Sequence, residues 1–277
     1  MNRYSSHVKT MGPRTAQLVT ELNERGRSPF TLADVNSITG LSAASCRNLV
    51  HKAQRRGLMT RLKPGLYNLV PFRMGRATEF VDDPFLIAHE LVKPHQYYIS
   101  HGSAFEINRM VTQPVLSIQV SCVRRLRSQT VGGYPFRFVQ VRDSHVFGTM
   151  KHWVNKHQVV TVSDPERTII DGLRRTTLVG GITEVAKGLW MKHEDLDVER
   201  LVEYAKRLGV GAVIRRLGYL LELYKLTNAS TLDSLRNLLT NTYQSLDPML
   251  PAEGPHISRW RLQLNVTPEE LEALRFG

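Results

Sequence analysis

The stretch "SAASCRNLVHKAQRRGLMTRLKPGLYNLV", Ser42 to Val70, changes periodicity halfway along, and that change decides the fold. In its first half Cys46, Leu49, Val50 and Ala53 recur at i, i+3, i+4 and i+7, which predicts a helix with one core stripe. Ser42 stands where a capping hydroxyl belongs, and Gly57 supplies a left-handed turn at the other end. From Leu58 the pattern becomes extended, and Pro64-Gly65 falls between two β-prone runs, a hairpin signature.

Working towards the N-terminus, "SPFTLADVNSITG", Ser28 to Gly40, predicts a short helix capped by Thr31, with Leu32, Val35 and Ile38 inward and Gly40 as its stop. Pro13 to Arg25 reads as another helix, with Ala16, Leu18, Val19 and Leu22 as a rough apolar stripe. Met1 to Gly12 is polar and is expected to be mobile. Three helices followed by a hairpin, in about 60 residues, is the order of a winged helix-turn-helix.

On the central helix the stripe opposite the core is Ala44, Arg47, Asn48 and His51, flanked by Lys52 and Arg55, with no acid among them. A helix that enters the major groove needs small residues for close approach and donors for base edges, and this face offers both. Arg47 suits a guanine edge and Asn48 an adenine. Lys52, Arg55 and Arg56 lie farther along and suit phosphate, while Arg61 and Lys63 flank the hairpin tip and suit the backbone or minor groove. The ordinary alternative is a solvated surface helix.

The distribution of charge argues against that alternative. The chain carries a net +12, which favours a polyanionic partner. Residues 1–76 hold 13 Lys and Arg against three acids, Glu21, Glu24 and Asp34; the other 201 residues hold 24 against 22. The basic character belongs to the first quarter of the chain.

Val70 to Asp83 reads as a linker, so the expected division is a DNA-binding domain over 1–76 and a larger domain over 77–277. The second part opens with a helix near Pro84 to Leu91 and a short strand, Gln96 to Ser100, before a helix in "HGSAFEINRM". "VLSIQVSC" alternates, with Leu116, Ile118, Val120 and Cys122 on one face. Gly132-Gly133 turns the chain back into "YPFRFVQV", and "HVFGTM" and "QVVTV" supply two more strands of a mostly antiparallel sheet. Helices dominate from Asp164, which caps the first of them, and "RWRLQLNV" alternates as a late strand before a last helix starting at Thr267-Pro268. The expected class is α+β: an N-terminal winged helix-turn-helix followed by a larger α/β domain with a mostly antiparallel sheet and C-terminal helices.

Catalytic signals are weak. "SHGSAF" around Ser103 lacks the second glycine of a nucleophile elbow, so a strand-to-helix junction with serine as cap is expected. No His or Cys spacing matches a metal site, and no glycine-rich phosphate loop occurs, so neither metal nor cofactor is expected. A nuclease would need clustered carboxylates. Asp164, Glu166 and Asp171 come closest, but they read as a cap, a helix-dipole partner and an i, i+4 partner of Arg167. Arg124 to Arg127 and Arg215-Arg216 could form a second basic surface, but read more readily as ordinary solvated faces. The two cysteines, the lack of an apolar leader and the lack of an apolar run near ~18 residues point to a cytoplasmic protein with no membrane partner.

Taken in order, "RRGLMTRLKPGLYNLVP", "YYISHGSAF", "GGYPFRFVQV", "DPERTIIDGL", "RRLGYLLELY" and "RWRLQLNV" resemble the AbiEi antitoxins of the AbiE type IV toxin–antitoxin system, from about Thr15 onwards. After Ala104 the chain departs from the commoner pattern, with Phe105 and Ile107-Asn108 in place of Leu and a His-Gly pair. The resemblance implies a repressor that binds inverted repeats in promoter DNA of its own operon; two copies, as a dimer or a cooperative pair, are expected because winged-helix readers commonly occupy such repeats in pairs. It also implies a functional partner, a nucleotidyltransferase-like toxin, countered without a stable complex being required. Arg47, Asn48, His51, Arg61 and Lys63 are the DNA-binding positions carried over, and no catalytic role is implied. The rival expectations are a DNA-acting enzyme with a nuclease-like C-terminal domain and a general regulator with a ligand-sensing one.

Overall fold

The computed structural model describes residues 9–111 and 114–276, so part of the polar N-terminal segment expected to be mobile lies outside the described residues. Pro13, whose missing N–H costs nothing in a first turn, starts helix α1 (Pro13–Glu24), which buries Leu18, Val19 and Leu22. Strand β1 (Phe30–Thr31) leads into α2 (Leu32–Thr39) through a capping box: Asp34 N donates to the Thr31 hydroxyl at 3.4 Å, and Thr31 N donates to the Asp34 carboxylate at 2.7 Å. Ser42 caps α3 (Ala43–Arg55) by accepting from Ser45 N at 3.3 Å. Gly57, at φ +67°, turns the chain into β2 (Met59–Lys63).

The strands β2 and β3 (Leu66–Leu69) pair antiparallel, from Met59 opposite Leu69 to Lys63 opposite Leu66, with an irregularity between Arg61 and Lys63. β1 adds to the other edge of β3, with Phe30 opposite Tyr67, giving the sheet order β1-β3-β2. Leu18, Leu22, Phe30, Val35, Cys46, Val50, Ala53 and Met59 close a core beneath the three helices. Each large apolar side chain buried there contributes roughly 1.5–3 kcal/mol. This is the expected winged helix-turn-helix.

The stretch read as a linker lies along this module. Phe80 N donates to Thr60 Oγ1 at 2.7 Å, and Thr78 lies against Gly57. Asp83 then caps α4 (Pro84–Val92) by accepting from Phe85 N at 2.8 Å. The chain divides into two compact units. One comprises residues up to His95 with Arg127–Arg137 and Lys151–Val160; the other comprises Gln96–Leu126, Phe138–Met150 and the chain from Thr161 onwards.

Six strands make the larger sheet: β4 (Tyr97–Ile99), β5 (Ile118–Cys122), β6 (Gln129–Val131), β7 (Tyr134–Gln140), β8 (Thr149–Trp153) and β9 (Val159–Ser163). Their order is β6-β7-β5-β4-β9-β8, with β4–β5 and β6–β7 antiparallel and β4–β9 parallel. Three expectations need correction. The Gly132-Gly133 turn joins β7 to β6, a three-residue strand too short to announce itself. The strand expected in "HVFGTM" begins only at Thr149, because Asp143–His145 forms a 3-10 turn and Gly148 takes φ +62°. Leu116 is 90% exposed, while all five residues of β5 are buried. The polar face of β5 is covered by α5 (His101–Ile107), to which Gln119 and Ser121 bind: Gly102 N donates to Gln119 Oε1 at 2.7 Å, and Ser121 Oγ donates to Ser100 Oγ at 2.9 Å.

The rest is mainly helical: α6 (Pro165–Arg174), α7 (Ile182–Lys192), α8 (Val198–Leu208), α9 (Gly211–Leu223), α10 (Ala229–Arg236) and α11 (Pro268–Ala273). Between the last two lie β10 (Gln244–Ser245), β11 (His256–Ile257) and β12 (Leu262–Gln263). The late strand is thus only two residues long. Its alternation still holds in burial, since Trp260, Leu262, Leu264 and Val266 all enter the core. Arg215 and Arg216 correct the expectation of a solvated face, because both are buried. Arg216 donates to the carbonyls of Leu173 and Ser245 at 2.7 and 3.1 Å, and Arg215 donates to Thr240 and Thr242. α9 is buried from Val213 through Leu221, so its two arginines donate to carbonyls inside the unit. The architecture is α+β, as expected. Among the described residues no helix is long and apolar enough to cross a membrane.

Candidate nucleic-acid interface

Helix α3 separates its two faces cleanly. Cys46, Val50 and Ala53 are buried, while Ala44, Arg47, Asn48, His51, Lys52 and Arg55 are all exposed. At one turn per 3.6 residues those six side chains leave the helix within an arc of about 140°. The structure therefore brings the expected α3 residues onto one face. Two of the module's three acids are occupied elsewhere: Glu21 pairs with Arg25 at 2.8 Å, and Asp34 pairs with Arg27 at 2.9 Å besides capping α2. None of Arg47, Lys52, Arg55, Arg56, Arg61 or Lys63 forms a salt bridge with a described residue. Lys52 and Arg55 in the last turn also complement the helix dipole, which accounts for part of their placement without any ligand.

Arg61 and Lys63 sit on β2, one turn of chain after α3. Arg61 is exposed opposite Tyr67. Lys63 is half-buried, and desolvation holds its ammonium below the usual lysine range. The register shift between them increases the local twist of the hairpin, whose tip is Pro64 with Gly65 at φ +84°. A groove of about 430 Å³ runs between the start of α1 and α3, lined by Arg14, Ser45, Asn48, Lys52 and Arg56 among others. Arg14 was not among the expected contacts; its place in the first turn of α1 gives no periodic signal that it faces α3.

The weaker constellations resolve into structural roles. Asp164 accepts from Arg167 N at 2.7 Å and from the Tyr204 hydroxyl at 2.9 Å; Glu166 accepts from Asp197 N at 2.9 Å; Asp171 accepts from Arg167 Nε at 3.1 Å. "SHGSAF" is a strand-to-helix junction, but its serines do not cap. Ser100 makes no cap bond, and Ser103 Oγ donates to Ser117 O at 3.2 Å while accepting from Gln119 N at 2.9 Å. His101, at φ +50° and fully buried, lies 2.8 Å from the Ser100 hydroxyl through Nδ1, and burial pushes its imidazole down to about 4. No group of three or more His, Cys, Asp or Glu that could hold a metal ion occurs among the described residues.

No curated protein matches the chain in sequence. In three dimensions the chain is similar to the crystal structure of the RV2827C protein from Mycobacterium tuberculosis, with a TM-score of 0.70, 14% identity, and 98% of this chain and 97% of that one covered. At that identity the likeness establishes the fold alone. Residues 17–70, from within α1 through β3, match the family described as "Transcriptional regulator, AbiEi antitoxin".

Proposed function

We propose that the protein is a DNA-binding transcriptional repressor and antitoxin of a type IV toxin–antitoxin system, acting in the cytoplasm and not as an enzyme. The observation that carries this reading is the acid-free, exposed face of α3 within a segment that matches an antitoxin-regulator family. In the proposed complex α3 enters the major groove, with Ala44 allowing close approach and Arg47 and Asn48 at base edges. His51, Lys52 and Arg55 meet phosphates, and Arg61 and Lys63 carry the wing along the backbone. Residues 1–76 form the reading module and 77–277 the antitoxin part. Two copies occupy inverted repeats in the promoter of the protein's own operon, and the partner countered is a nucleotidyltransferase-like toxin.

Footprinting of the purified protein on the DNA upstream of its own gene tests the repressor half. Protection over a pair of inverted repeats, with the DNA left uncut in the presence of magnesium or manganese, is the expected result. Uniform, sequence-independent protection overturns it. The antitoxin half is tested by co-expression with the neighbouring open reading frame: growth arrest by that frame alone, relieved by this protein, is expected.

A further inference from the structure

The second unit has a balanced charge, yet it concentrates unpaired cationic groups at one place. A pocket of about 480 Å³ is lined by Val123, which follows β5, by Gln140 and Val141 at the end of β7, by Arg142 and Asp143, and by Arg174, the last residue of α6. The strand ends that frame it are tied together, with Val141 N donating to Cys122 O at 3.0 Å and the Gln140 amide donating to Val123 O at 3.4 Å. Neither Arg142 nor Arg174 forms a salt bridge with a described residue. Arg142 is exposed, whereas Arg174 is half-buried and held below its usual range by desolvation.

Asp171, the acid whose charge favours that of Arg174, forms its ion pair with Arg167 and not with Arg174. Asp171 accepts from Arg167 through one oxygen, at 3.1 Å from Nε and 3.0 Å from Nη2, and Arg167 also donates to the Tyr98 hydroxyl at 2.7 Å. Three atoms around this network are buried with no hydrogen-bond partner: Arg167 Nη1, Asp171 Oδ2 and His145 Nδ1. Buried polar atoms are nearly always satisfied, so these three, none of whose residues lines the pocket, point to solvent in the interior behind it. Arg174 links the network to the pocket: its charge, with those of Arg167 and Arg142, adds to burial in holding His145 below the usual histidine range.

We propose that this pocket binds the phosphate group of a small hydroxyl-bearing molecule, a phosphosugar or a nucleoside monophosphate. Arg142 and Arg174 take the phosphate, for which guanidinium forks are suited. Asp143 beside them disfavours a purely anionic occupant and accepts from a hydroxyl, and Val123 and Val141 offer apolar surface to the remainder. The volume lies in the range of small-ligand sites. None of the pocket's residues belongs to α3 or the wing, so its occupancy does not depend on whether the winged helix reads DNA.

Isothermal titration of the full chain with ribose 5-phosphate, inorganic phosphate and ribose at constant ionic strength tests the proposal. Saturable one-to-one binding of ribose 5-phosphate is expected, tighter than inorganic phosphate, with ribose silent. Arg142→Ala and Arg174→Ala are each expected to weaken it at least tenfold, while Arg47→Ala leaves it unchanged. Because Arg142 is exposed, its loss does not endanger folding, and unchanged affinity in Arg142→Ala overturns the assignment. So does the absence of saturable heat, equal affinity for inorganic phosphate, or an equal loss in Arg47→Ala.

Discussion

Arg47 leaves α3 one turn after its start, exposed and without a salt bridge to any described residue, so its guanidinium gives up no internal partner on meeting DNA. A bidentate contact to a guanine edge is worth roughly 1–3 kcal/mol of discrimination. Arg47→Ala is therefore expected to lower affinity for the upstream site by about tenfold or more while sparing random duplex. Gel-shift titrations of both duplexes at physiological salt measure it, and an equal loss on the two would return Arg47 to the phosphate contacts. Gly218 decides something different. Trp260 lies so close over α9 that a Cβ at this position would overlap its ring, and Glu222 anchors the ring by accepting from Nε1 at 2.6 Å. Gly218→Ala raises helix propensity yet is expected to lower stability by about 1–3 kcal/mol through overpacking. A drop in thermal midpoint without loss of binding at low temperature is the expected pattern.

Among the elements, the wing is proposed to make a contact of another kind from that of α3. A half-buried lysine at a hairpin tip neutralises phosphate and reads no base, so Lys63→Ala is expected to weaken all duplexes alike. The slope of log affinity against log salt should fall by about one, and a loss confined to the specific site would contradict this. The helix and the hairpin were legible in the sequence because each has a period and a stop: the 3.6-residue stripe of Cys46, Val50 and Ala53, Gly57 at its end, and Pro64-Gly65 between strands. Elements without a period were not. β1 and β6, at two and three residues, are defined only by their partners β3 and β7. Alternation in β5 gave the correct strand and a wrong environment, because Gln119 and Ser121 face a helix instead of water. Arg215-Arg216 misled for the same reason: a sequence shows charge, and only tertiary packing shows which carbonyls await it. The exposed stripe of α3 followed directly from the buried one, whereas Arg14 reaches the same groove from another helix, a juxtaposition no local pattern encodes.

For the whole molecule, the asymmetry of charge sharpens once the units are known. The unit containing the winged helix holds 18 Lys and Arg against seven acids, and the other holds 19 against 18. Attraction to a polyanion thus belongs to the first unit, and the second is free to set stability by its buried polar groups. His101 is one group there whose titration reaches the experimental range. Burial, opposed by Asp171 and aided by Arg175, lowers its folded value from 6.5 to about 4. Above pH 6.5 the imidazole is neutral in both states and costs nothing. Between 6.5 and 4 the unfolded chain binds the proton and the folded one does not, so stability falls as pH falls. The total loss by about pH 4 is on the order of 3 kcal/mol. Denaturant midpoints should therefore decline across that window. His101→Asn keeps a side chain that tolerates the left-handed backbone at this position and removes the titration. That variant is expected to start less stable at neutral pH, having lost its bond to Ser100, and to show a shallower decline towards pH 4. A decline as steep as that of the parent would mean that other groups govern the acid limit of the fold.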